Sequence, residues 1–189
     1  DYEGKTEVIV YDYIDSHIRF FDNMYARRLR TYKRVGFSLI SKGKVAKQTV
    51  NAIYDAGNYG DVFERDLVEA EKSIVVSSPE LVRDKVDRFL YLVKARQEAG
   101  CEITVITLEA ENLRYGNSMF HNDMVRDMRK AGIHVVVREE VIEHFAVIDD
   151  ALVWHGGMNL LGKEDAWDNL MRIGSTQVAA ELLAIAFGN

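Results

Sequence analysis

The residues of this chain best suited to chemistry lie close together towards its C-terminal end: His144, Asp149, His155, the pair Gly156-Gly157, and Asn159. A histidine can hold a phosphate as a cation, or as a neutral ring act as base or nucleophile. Beside it, His155, Asp149, Asn159 and the backbone at Gly157 are candidate ligand contacts. Each also has a structural reading. His144 can be a packed strand histidine, His155 a half-exposed strand end, and Asp149 a hairpin-turn acid. Asn159 can close a turn through bonds to the backbone. A second set, Arg27, Arg30 and Arg34, shares one face of a helical period, with Arg28 and Lys33 beside it. That face is either a phosphate-contacting stripe or an ordinary solvated one. His121 and His134 lack partners at metal-ligand spacing. The single cysteine, Cys101, opens a strand and reads as a small buried hydrophobe. With no Cys/His cluster, no P-loop and no dinucleotide fingerprint, neither a metal nor a cofactor is expected.

These side chains need a frame, and the hydrophobic periodicity supplies one. Ser73-Ile74-Val75-Val76-Ser77 and Glu102 to Leu108 read as buried strands, and Ile133 to Val137 as a third. Between them Val82, Val86, Phe89, Leu90 and Val93, then Met124, Val125, Met128 and Ala131, recur at helical spacing. Gly100 and Gly132 end those two helices. A shorter helix is marked by Val62, Phe63, Leu67 and Val68, after an apolar start at Ala52-Ile53-Tyr54. Ser78-Pro79-Glu80 reads as a helix start, with Ser as cap and the lone proline at the first helical position. Glu143 to Ile148 and Ala151 to His155 form a hairpin pattern around Asp149-Asp150. A short strand around Leu170 to Ile173 and a final helix facing inward through Val178, Leu182, Leu183 and Ala186 follow. Strands alternating with helices on short connections predict an α/β layered domain with a parallel or mixed sheet.

Upstream, Glu7 to Ile14 reads as a strand. Phe21, Met24, Tyr25, Leu29 and Tyr32 then predict a helix that Gly36 stops. The expected organisation is a strand-helix leader over 1–40, a lysine-bearing linker over 41–50, and the α/β domain over 51–189. Charge follows that division. Residues 1–50 carry 10 Lys/Arg and 6 Asp/Glu, and residues 51–189 carry 14 and 24. The net charge of -6 therefore averages a basic leader and an acidic body, and does not by itself exclude nucleic acid. No apolar run is long enough to span a bilayer. One cysteine among 189 residues fits a reducing, cytoplasmic setting. A chain starting at Asp1 without Met is expected to be a piece of a longer protein.

Ile142-x-His144-x4-Asp149, then six residues, then Gly156-Gly157-x-Asn159, resembles the phospholipase D superfamily signature His-x-Lys-x4-Asp followed by Gly-Gly-x-Asn. The resemblance implies an α-β-α sandwich with a mixed sheet. It also implies a phosphodiester site in which Asn159 contributes and Asp168 matches the acid that orients the histidine. Leu152 to Asp165 is similar, more narrowly, to modules attached to superfamily 2 helicases. Val10 to Asp15, with Met24 to Leu29 and Tyr32, is similar to the tail of such a motor domain. Two departures bear on activity. The nucleophile position is Ile142 and the lysine position is His144. Moving the frame to make His144 the nucleophile puts Ala146 and Ala151 at the Lys and Asp positions. Strand alternation would put residues 142 and 144 on one face, which keeps His144 in the pocket.

Three functions follow. The first is a catalytically impaired accessory module of a helicase-type protein that binds nucleic-acid phosphates or mediates assembly. The second is a phosphodiesterase or nuclease using His144, its site completed by a second copy, since active single-motif relatives pair two protomers. The third is a structural docking domain without nucleic-acid contact.

Overall fold

The computed structural model describes residues 51–113, 118–140, 142–163 and 168–188. The leader and linker, with Arg27, Arg30 and Arg34, lie outside these residues.

Seven strands form one mixed sheet in the order β1-β7-β6-β5-β2-β3-β4. They are β1 (Ala52–Asp55), β2 (Ser73–Ser77), β3 (Glu102–Leu108), β4 (His134–Arg138), β5 (Phe145–Ile148), β6 (Leu152–Gly156) and β7 (Asn169–Gly174). Strands β2, β3 and β4 run parallel, whereas β5 pairs antiparallel with β2 and starts an antiparallel half of β5, β6, β7 and β1. The change of hand in the ladder follows from the connections. Helices α2 (Arg83–Glu98) and α3 (Ser118–Lys130) cross between parallel strands, while β5 and β6 are joined directly at Asp149-Asp150. Both aspartates have φ near the left-handed region, 54° and 55°, which the tight hairpin turn requires.

The sheet is covered on both faces, so the layers are α/β/α. Helix α1 (Gly60–Glu69), α2 and α3 pack one face through Phe63, Leu67, Val86, Phe89, Met124 and Met128, against Ile74, Val76, Val105 and Trp154. Helix α4 (Thr176–Phe187) covers part of the other face, setting Ala179 and Leu182 over Val75, Ile106, Phe145, Val147 and Val153. Strand alternation accounts for this division, since neighbouring residues of β5 and β6 enter opposite clusters. Ser175 caps α4 by accepting the Val178 N–H, and Gly188 ends it at φ 72°. Among the described residues no helix is long and apolar enough to cross a membrane.

Two local expectations differ from what is seen. Pro79 does not begin a helix: α2 starts at Arg83, with Val82 as an extended N-cap whose side chain makes no capping bond. The Ser78 hydroxyl is instead turned inward, as described below, and a cap cannot serve two sites. Residues 142–144 also lie outside β5, so alternation does not govern them. Ile142 packs against the apolar cluster under α4.

Candidate functional site

Some of the chemistry-bearing residues gather at the end of the sheet where β2 and β6 finish and β5 and β7 begin. Two glycines make that end possible. A Cβ on Gly156 would lie 2.0 Å from the Asn169 carbonyl oxygen, so only glycine lets β6 approach β7 there. A Cβ on Gly157 would lie 2.8 Å from Asp168 Oδ1. Gly157 is also the partner of His144, whose Nδ1 lies 2.7 Å from its carbonyl oxygen. A carbonyl can only accept, so Nδ1 carries the proton, and a neutral ring presents Nε2 as an unprotonated nitrogen. The structure therefore brings His144, Gly157 and Asp168 together. The approach of His144 is set by its neighbours. The Gly156 N–H donates to the His144 carbonyl at 3.3 Å, and Ser77 Oγ donates to the Glu143 carbonyl at 2.5 Å.

Asn159 is buried, and its side chain bonds to the loop between β2 and α2. With its amide oriented to satisfy its surroundings, Oδ1 accepts the Glu80 N–H at 3.1 Å, and Nδ2 donates to the Glu80 carbonyl at 3.2 Å and to Ser78 Oγ. Ser78, fully buried, then accepts the Leu161 N–H at 2.9 Å and donates to the Glu80 carbonyl at 3.1 Å. Every polar atom of this pair is used, as a buried amide and hydroxyl require. A Cβ on Gly162 would fall 2.4 Å from the Asn159 side-chain amide, so a third glycine makes room for the clamp.

Asp149 and His155 go elsewhere. Asp149 stands at the far end of β5 from His144, about 17 Å away at ~3.3 Å per residue. Its Oδ1 accepts backbone N–H groups from Glu71, Lys72 and Ser73 at 3.0, 2.7 and 3.1 Å, tying the hairpin to the start of β2. His155 pairs in register with Phe145, and so projects to the α4 face, where Nε2 lies 4.0 Å from Glu143 Oε2. His121 is 3% exposed and sets Nε2 2.9 Å from the Leu108 carbonyl. Burial holds its pKa below the ordinary histidine value. Burial likewise raises the Cys101 thiol. Among the described residues no group of three or more His, Cys, Asp and Glu could hold a metal ion.

One polar assembly escapes the sequence reading. Arg172 on β7 grips Asp66 on α1 with both ends of its guanidinium, Nε to Oδ2 at 2.7 Å and Nη2 to Oδ1 at 2.9 Å. Trp154 Nε1 donates to the same Oδ2 at 2.9 Å, and its ring meets Phe63 and Tyr54 at 5.5 and 5.1 Å. All three polar partners are buried. The hydrogen bond to Asp66 holds the Arg172 pKa above its usual value. A signal existed: Asp66 interrupts the apolar stripe of Val62, Phe63 and Leu67, and Arg172 takes an inward position of β7 two after Leu170.

Comparison with solved structures places this arrangement. The chain is similar to Nuc from Salmonella typhimurium, a phospholipase D family member, at 13% identity and TM-score 0.54, over 70% of this chain and 88% of that one. It is similar to NucT from Helicobacter pylori at 13% identity and TM-score 0.56, over 71% and 91%. TrmBL2, an archaeal chromatin protein whose structure shows a mode of DNA binding, matches at 12% identity and TM-score 0.50, over 86% and 57%. No family model and no curated protein matches the chain. At these identities the likeness concerns the fold, and the fold is phospholipase D-like.

Proposed function

We propose that the chain is a phospholipase D-like accessory module that no longer hydrolyses phosphodiesters and works beside an upstream helicase-type motor in the cytoplasm. It contacts nucleic-acid phosphates or mediates assembly. The observation that carries this reading is Ile142. Where the motif needs a nucleophile, the chain has an aliphatic side chain packed against the cluster under α4. The other motif positions support it. Asn159 and Asp149 are committed to backbone and to Ser78, and the lysine position holds a histidine bound to the Gly157 carbonyl. Charge favours the leader, with Arg27, Arg30 and Arg34, as the source of phosphate contacts, since residues 51–189 hold 14 Lys/Arg against 24 Asp/Glu. Some surface cations there are matched: Arg83 bridges Asp87 and Asp127, and Arg88 bridges Glu64.

The test is turnover of a chromogenic phosphodiester, single-stranded DNA, duplex DNA and RNA by the chain and by His144→Ala. Equal, background rates are expected; turnover lost in His144→Ala overturns the proposal. In parallel, nucleic-acid affinity should fall with rising salt and with Arg27, Arg30 and Arg34 changed to Ala. A second reading has one observation behind it: the bond from Nδ1 leaves Nε2 of a neutral His144 free to act as base or nucleophile. That reading needs a homodimer to complete its site, and light scattering showing a strict monomer removes it.

A further inference from the structure

We draw no further inference here: the strongest candidate, the apolar patch on the α4 face of the sheet where Ile53 and Met171 pair across β1 and β7 and stand 63% and 42% exposed, carries nothing because nothing in the structure shows what covers it.

Discussion

Asn159 separates a structural from a ligand-binding reading of the Gly-Gly-x-Asn turn, and the two make opposite forecasts for Asn159→Ala. In the structure the side chain is 8% exposed and makes three hydrogen bonds, two to the Glu80 backbone and one to Ser78 Oγ. Each is worth about 1 kcal/mol net, and leaving the N–H of half-buried Glu80 without a partner adds roughly 1–3 kcal/mol. The replacement should therefore cost about 4–6 kcal/mol, a large part of a domain's usual stability. Asn159→Asp sharpens the test because it keeps the shape. Its second oxygen would face the Glu80 carbonyl at the 3.2 Å now spanned by a hydrogen bond, acceptor against acceptor. Ser78 can turn its proton to meet one oxygen but not also satisfy Glu80, so Asp should still lose about 2 kcal/mol or more. Urea unfolding read by tryptophan fluorescence measures both, with nucleic-acid affinity taken at a temperature where each variant is folded. The clamp predicts falling midpoints and unchanged affinity in the folded protein. A stability loss under about 0.5 kcal/mol, with affinity reduced tenfold, would refute it and make Asn159 a ligand residue.

Other perturbations probe the frame around it. Asp66→Ala leaves the Arg172 guanidinium and Trp154 Nε1 buried without their acceptor, and should cost about 3–5 kcal/mol in denaturant unfolding; a loss below about 1 kcal/mol would mean that the network relaxes to water. Gly156→Ala forces a Cβ to 2.0 Å from the Asn169 carbonyl and should prevent cooperative folding, whereas Gly60→Ala meets nothing within 4 Å and should leave the melting temperature equal or higher. Equal melting temperatures for the two variants would contradict the β6–β7 geometry. The depressed pKa of His121 has a definite sign: the unfolded ring takes its proton first as pH falls below the ordinary 6.5. Stability from this residue is therefore full above pH 6.5 and declines below it, until the folded ring also protonates. His121→Gln, which can still donate to the Leu108 carbonyl, should flatten that acid slope between pH 7 and pH 5; an unchanged slope in calorimetry assigns it to other groups.

What the sequence shows and what it hides divide along a physical line. Patterns with a local cause are legible. Alternation and helical spacing locate Ser73–Ser77 and Glu102–Leu108 to the residue, and the Asp149-Asp150 turn announces the β5–β6 hairpin. The motif spacing leads to a phospholipase D-like sandwich, the fold that is found. Contacts made across the fold are not legible, because the partner lies far along the chain. The partner of Asn159 is Ser78, 81 residues earlier, and this one pairing displaces two local readings at once. It removes Ser78 from helix capping, so α2 begins only at Arg83, and it commits the Asn159 amide to Ser78 and Glu80.

The same distinction governs Ile142. As a letter in a motif it marks a missing nucleophile, and alternation then suggests that His144 keeps the pocket. But alternation holds only inside a strand, and β5 begins at Phe145. Ile142 is free to follow its own chemistry into the cluster under α4, while His144 turns to the Gly157 carbonyl. The departure from the motif is thus one of placement as well as residue type. Restoring the motif by Ile142→His with His144→Lys would set an imidazole against apolar neighbours, which disfavour its charged form. On the proposed reading the double variant should therefore turn over a chromogenic phosphodiester no faster than the parent chain, and turnover gained by it would refute the argument from placement.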